Sequence, residues 1–424
     1  MNFSQALSYL LSLGHETLTI KLGLANTKAL LAALGDPQKE FPAVQIAGTN
    51  GKGSTAVMLD SICREAGLRT GLFTSPHLIS ITERVSIDGE QISEADFARF
   101  TASVRKTAED LVKQSKLETL PTFFEHVTAI ALLAFREAKV ALAILETGLG
   151  GRLDSTTAAR AETVAITSIA MDHEEYLGHS LAEIAAEKAA IIRPGVTAII
   201  APQTEEVLSV IVRQCAAAGV EPRFVEPSRD ANISIGLRGG HQIENAATAI
   251  ALAEALRERG FAISREAIIK GVKRAHHPGR LELWAGPPRI LFDGAHNPAA
   301  ARALRDYLNE FVTQPITMIF GAMCDKALSQ MASVLFPIVD QLILTELDNP
   351  RAASFEMLKL AVPDNFAAAS IHRASSTNEA LLIANEVTPA TGLICVTGSL
   401  YLVGAVQKIL TDQSQSVARQ RAAN

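Results

Sequence analysis

The chain is poor in cysteine: Cys63, Cys215, Cys324 and Cys395 are all it has in 424 residues, and no two form a C-x-x-C pair. That leaves no framework for a disulfide-stapled fold or a zinc ribbon. The four read as reduced, mostly buried thiols of a cytoplasmic protein. Excess positive charge is also lacking. Lys and Arg number 39 against 45 Asp and Glu, a net charge of −6, so neither a nucleic-acid partner nor a membrane surface is expected. No apolar run is long enough to span a bilayer; 140–145 has the length of a buried strand instead. Residues 1–13 lack a basic n-region and read as an amphipathic helix, not a signal peptide. Short internal repeats are absent. What remains is 48% hydrophobic and 20% charged, the balance of a globular protein, with enough length for two domains.

The informative stretch is 44–55, VQIAGTNGKGST. A short apolar run enters a glycine-rich turn and a helical pattern follows. Glycines let backbone N–H groups converge on one point, and the helix N-terminus adds partial positive charge there. Lys52 supplies a full charge for a phosphate, and Ser54 or Thr55 a hydroxyl near Mg²⁺. The spacing is a variant of the usual G-x-x-x-x-G-K-[ST]. Ile46 stands at the first glycine position, and Gly53 separates Lys52 from Ser54.

A second apolar run ends in Thr74-Ser75-Pro76-His77, completing a parallel strand–helix–strand unit. Residues 82–89 alternate like one strand ending in an Asp-Gly turn, with Arg84 either functional or solvated. Helices are expected at 93–114 and 122–138. Thr122 and Glu125 form a capping box at the start of the second, beside Phe123 and Phe124. The buried strand at 140–145 runs into Glu146, where a carboxylate can hold Mg²⁺. Another strand, 162–167, leads to His173. Lys188 sits on a helix spanning 180–192, where it reads as an exposed lysine of an amphipathic helix. Asn245 opens a later helix and suits either a nucleotide contact or a cap. A Gly-Pro-Pro break at 286–288 suggests the domain boundary. Beyond it, helix and strand alternate to the end, as in a Rossmann-like domain.

Taken together, GTNGKGS at 48–54, TSPHL at 74–78, ERV at 83–85, ETGLGGRLD at 146–154, DH at 172–173, EKA at 187–189, HPGRLE at 277–282 and DGAHNP at 293–298 resemble folylpolyglutamate synthase/dihydrofolate synthase. That family is related to the Mur ligases. The resemblance covers nearly the whole chain, with the motifs in order. It implies an α/β architecture: an N-terminal P-loop-type parallel-sheet ATPase domain, 1–286, that also binds pterin, and a C-terminal Rossmann-like ligase domain, 289–424. It implies ATP-dependent ligation of L-glutamate to dihydropteroate, giving dihydrofolate, and to tetrahydrofolate, extending its polyglutamate tail. The reaction runs through an acyl phosphate. Competing expectations are a polyglutamate synthase alone, a Mur-type amino-acid ligase, or a P-loop NTPase without ligase activity.

The resemblance also implies roles. Thr49, Asn50, Gly51, Lys52, Gly53 and Ser54 hold the ATP phosphates; Asn245, Arg280 and Asp293 bind the nucleotide. Ser75, Glu146 and His173 are ligands of two Mg²⁺ ions. Lys188 carries a carbamate (N6-carboxylysine), against its reading as an exposed lysine. Thr122, Phe123, Phe124, Glu125, Leu153, Asp154 and Ser155 line the pterin site. Arg84 and His296 are candidates for further substrate contacts, His296 toward glutamate or the transferring phosphate. Lys52, Glu146, His173 and Lys188 form the catalytic set. A monomer with small-molecule substrates is expected.

Overall fold

Strands of four or five mostly apolar residues, buried on both faces, make the centre of the first sheet, as a parallel sheet covered by helices requires. The structure, a computed structural model, describes all residues except 15–22, 228–232, 286–287, 365 and 424, and not the side chains of 368 and 415–423. The chain divides into two units. The first comprises 1–77, 81–236 and 242–276; the second comprises 78–80, 237–241 and 277–424.

In the first unit the strands are β1 (Ala43–Ala47), β2 (Thr70–Phe73), β3 (Val85–Ile87), β4 (Glu90–Gln91), β5 (Leu142–Glu146), β6 (Thr163–Ile166), β7 (Thr197–Ile200) and β8 (Pro222–Phe224). They lie in the order β4-β3-β2-β5-β1-β6-β7-β8. Pairing from β2 through β8 is parallel. β1 therefore sits between β5 and β6, and the chain leaves it first to one side and later to the other. That is a topological switch point, where ligands bind at the strands' carboxyl ends. Register sets Ile46 opposite both Glu146 and Ala165, so Ala47, Glu146 and Ile166 finish along one edge.

The single strand expected at 82–89 is replaced by a 3-10 turn, Ile81–Arg84, and the β3–β4 hairpin. Asp88 and Gly89 both have positive φ, 54° and 84°, the conformation that a tight two-residue hairpin demands. The helix Phe123–Ala138 opens with the expected capping box between Thr122 and Glu125.

The second unit contains β9 (Glu282–Trp284), β10 (Arg289–Phe292), β11 (Ile316–Phe320), β12 (Gln341–Thr345), β13 (Ile371–Ala374) and β14 (Leu393–Thr397), in the order β13-β12-β11-β14-β10-β9. All pairs are parallel except β9–β10. Alternate residues feed two cores. Leu291, Met318 and Leu342 point to one face of the sheet; Phe292, Ile319 and Ile343 point to the other. The break read at 286–288 falls between the paired strands β9 and β10, within the second unit; its residues 286 and 287 lie outside the described ones.

Candidate active site

The loop joining β1 to the helix Lys52–Glu65 is fixed from outside as well as from within. Thr49 and Asn50 donate their backbone N–H groups to the Ser168 carbonyl at 2.9 and 3.1 Å. The Thr49 hydroxyl donates to the Ala170 carbonyl at 3.0 Å and accepts from the Ala170 N–H at 3.1 Å. The segment after β6 thus fixes the loop's path. Gly48 has φ 152°, and a Cβ there would run into the Thr167 side chain; Gly51 has φ 87°, and a Cβ there would run into the Asn245 amide. Any other residue at either position would clash as well as strain the turn. Asn245 is held in turn, donating to Gln242 Oε1 at 2.9 Å, and the Gln242 amide donates to Ser54 Oγ at 3.4 Å. Residues 49–54 and Asn245 therefore form one connected group, with Gln242 a member that no sequence motif marks.

Two lysines converge on a single carbonyl. The Lys52 amine donates to the Gly48 and Thr49 carbonyls, both at 3.1 Å. The Lys188 amine donates to the same Gly48 carbonyl at 2.9 Å. Lys188 is 4% exposed, which overturns its reading as a solvated lysine. Ile184, Ala185, Lys188 and Ala189 share the buried face of the helix Leu181–Ala189, so Lys188 follows Ile184 by one helical turn. Burial, and then the nearby charge of Lys52, pushes its amine down to about 7.

Glu146, at the carboxyl end of β5, is buried and accepts from the Ser75 N–H at 3.1 Å. Two of the expected metal-binding residues are therefore together. His173 lies farther along the segment that braces Thr49. It adopts a left-handed conformation, φ 51°, and its N–H donates to Asp172 Oδ1 at 3.0 Å. Among the described residues, no group of three or more His, Cys, Asp or Glu is arranged to hold a metal. One buried carboxylate beside a serine does not make an all-protein cage. It does fit Mg²⁺, which keeps several waters and takes substrate phosphate oxygens as ligands.

The segments expected to line the acceptor site divide by role. Phe123 is buried beneath Arg84, whose guanidinium lies 5.4 Å from the ring centre. Arg84 is only 1% exposed and donates from Nε to His77 Nδ1 at 2.9 Å, so it is no solvated strand residue. Phe124 is half-buried against Phe73. A Cβ on Gly148 would strike the Phe124 ring, so this glycine lets the ETGLGG loop close over it. Glu125 has internal partners on both oxygens: the Thr122 N–H at 2.7 Å and the Thr27 hydroxyl at 2.8 Å. Asp154 is likewise engaged, accepting from the Leu149 N–H at 2.8 Å and the Thr156 N–H at 3.0 Å. Ser155 is buried and shares a 2.6 Å hydrogen bond with Thr128, while Leu153 is half-buried.

In the second unit, the Asp293 carboxylate accepts from the Leu281 and Ala295 N–H groups, both at 3.0 Å. Burial raises its pKa, and the Arg280 charge acts in the opposite direction. His296 contacts the Gly294 carbonyl through Nδ1 at 2.8 Å. Arg280, Asp293 and His296 therefore cluster at the carboxyl end of β10.

Residues 46–221 match the family model of the Mur ligase middle domain, and 279–400 that of the Mur ligase, glutamate ligase domain. A Bacillus subtilis relative, named dihydrofolate synthase/folylpolyglutamate synthase, is 35% identical over 419 residues, covering 92% of this chain and 95% of that protein. A Halobacterium salinarum relative, named probable bifunctional folylpolyglutamate synthase/dihydropteroate synthase, is 35% identical over 95% of this chain and 51% of its own length. This chain thus spans about half the length of that relative. The solved structure of the Yersinia pestis bifunctional folylpolyglutamate synthase/dihydrofolate synthase complexed with AMPPNP and Mn ion superposes with a TM-score of 0.85 at 30% identity, covering 97% of this chain and 98% of that one.

Proposed function

The chain belongs to the dihydrofolate synthase/folylpolyglutamate synthase family of Mur ligases, and from that premise we propose that it joins L-glutamate to a pterin carboxylate at the expense of ATP. Dihydropteroate is one acceptor, giving dihydrofolate; tetrahydrofolate is the other, extending at its γ-carboxyl. The observation that carries the reading is the convergence of the Lys52 and Lys188 amines on the Gly48 carbonyl, where the phosphate loop leaves β1.

The acceptor carboxylate attacks the γ-phosphorus of ATP, forming an acyl phosphate and releasing ADP. The glutamate amine then attacks the acyl carbon, the amide forms, and phosphate leaves with a proton lost from nitrogen. Residues 49–54 present N–H groups and the Lys52 charge to the phosphates. Ser75, Glu146 and His173 hold Mg²⁺ at two sites. Bound Mg²⁺ supplies positive charge that offsets repulsion between the attacking carboxylate and the triphosphate. Lys188 serves as a carbamate: an amine titrating near 7 is partly neutral at physiological pH, as nucleophilic attack on CO₂ requires. Asn245, Arg280 and Asp293 bind the nucleotide.

Phe123, Phe124, Leu153 and Ser155 line the pterin site. Thr122, Glu125 and Asp154 shape it, because their polar groups are already spent on the protein's own backbone and side chains. Arg84 and His296 are offered as further substrate contacts. The first unit is assigned ATP and pterin binding, and the second unit the ligase role matched at 279–400. The reading places a monomer in the cytoplasm, without nucleic-acid partners. Among the described residues no helix is long and apolar enough to cross a membrane.

The test is phosphate release from ATP with L-glutamate, comparing dihydropteroate with tetrahydrofolate. Release with both is expected. Release with tetrahydrofolate alone would reduce the reading to polyglutamate extension, and glutamate-independent hydrolysis would end the ligase assignment. Lys52→Ala and Glu146→Ala should each abolish turnover while leaving the protein folded.

A further inference from the structure

Two ties outside the proposed pterin-lining residues hold the first turn of the helix Phe123–Ala138. One runs through Tyr9, on the helix Phe3–Ser12. His126 is fully buried, and its Nδ1 lies 3.0 Å from the Thr122 carbonyl. A carbonyl only accepts, so Nδ1 carries the proton and Nε2 presents its lone pair. The Tyr9 hydroxyl, 3.1 Å from Nε2, is then the donor. The rings also meet edge to face, with centroids 5.6 Å apart. The second tie runs from Thr27, on the helix Ala25–Ala33. Its hydroxyl donates at 2.8 Å to Glu125, which caps Thr122 with its other oxygen at 2.7 Å.

Both ties end on Thr122, the N-cap residue that aims Phe123 and Phe124. We propose that Tyr9, His126 and Thr27 are positioning residues for the acceptor, fixing the Thr122–Glu125 turn through hydrogen bonds without touching substrate. The inference rests on the reading of 122–125 as acceptor-lining. It assigns the N-terminal helices a part in acceptor affinity that is separate from ATP binding. The phosphate loop takes its own bracing from 168–170 and Asn245.

The experiment uses the full chain and measures steady-state phosphate release, varying dihydropteroate at saturating ATP and glutamate, then varying ATP. Tyr9→Phe deletes only the hydroxyl. The acceptor KM should rise roughly threefold to tenfold, the worth of one hydrogen bond, with the ATP KM unchanged. Adding Thr27→Val should raise it further. His126→Gln, whose amide can replace both bonds, should recover more of the acceptor KM than His126→Ala. If His126→Ala does not fold, Tyr9→Phe alone decides. An unchanged acceptor KM with only a lower melting temperature would overturn the inference, as would equal losses for acceptor and ATP. If the wild-type chain shows no acceptor-dependent release, the ligase reading itself fails, whatever the variants do.

Discussion

A lysine amine sealed from water sheds its proton or finds an anion. Lys188 has a carbonyl on one side and the charge of Lys52 nearby, and its pKa falls from the ordinary 10.5 to about 7. In the uncarbamylated protein the unfolded chain binds more protons between those values than the folded one, so stability rises with pH across this window. Lys188→Met keeps the volume and removes the ionisable group. At pH 7 it should abolish ligation and stabilise the fold by on the order of 1–3 kcal/mol. Its gain should fade as the pH is raised toward the ordinary lysine value. Urea titrations of both proteins at two pH values check this, and a destabilised variant would show that the bond to Gly48 outweighs burial of the charge. Gly48→Ala should remove nucleotide binding, because its Cβ would meet the Thr167 side chain at a φ of 152°; ATP titration by calorimetry checks it. The spacing of Lys188 from Ile184 is visible in the sequence, yet polarity argues for exposure. Only the resemblance corrects that. Arg84 is ambiguous for the same reason: residue type reports what a side chain prefers, not that a histidine and an aromatic ring will hold it inside.

Elements are more legible than side-chain partners, for a physical reason. A parallel strand buried on both faces reads as a near-continuous apolar run; 140–145 is unbroken, and 163–166 and 316–320 each carry a single threonine. The helix Arg265–Arg274 carries no motif; Ala267, Ile268, Gly271 and Val272 mark its buried face but not its partner, which bears on the site. A Cβ on Gly271 would meet the backbone of Ile62, so this helix lies directly against the phosphate-loop helix Lys52–Glu65. Backbone cannot swing aside as a side chain can. Gly271→Val should therefore destabilise the first unit by about 2–4 kcal/mol and weaken ATP binding by shifting the helix that carries Lys52. Gly23→Ala is the control, since a Cβ there meets none of the described residues within 4 Å and should change stability by less than about 0.5 kcal/mol. Equal stability of the two variants would refute the close-packing argument.

On the scale of the whole molecule, each unit owns a sheet and its own buried apolar residues, and each holds a histidine with a strongly lowered pKa, His126 fully buried and His241 half-buried. Burial lowers His126 in the first unit to about 4, against the pull of the Thr122 and Pro121 carbonyls. Burial, helped by the Arg280 charge, lowers His241 in the second to about 4. An unfolded histidine titrates near 6.5, so between that value and about 4 the unfolded chain binds more protons, and stability falls as the medium is acidified. Buried carboxylates oppose this. Asp60 and Asp154 in the first unit and Asp293 in the second have raised pKa values, so each gains stability as the pH falls toward its unfolded value. The histidine contribution is therefore isolated by difference, comparing wild type with His126→Asn and with His241→Asn. The only tryptophan, Trp284, lies in the second unit, so its fluorescence follows that unit while far-ultraviolet dichroism follows both. His241→Asn should flatten the acid dependence of the fluorescence-detected transition between about pH 4.5 and 6.5, and His126→Asn should leave it unchanged while flattening the remaining dichroism-detected change. A single transition altered equally by both substitutions would mean that the two cores unfold as one. No alteration by either would mean that both histidines titrate near their ordinary value.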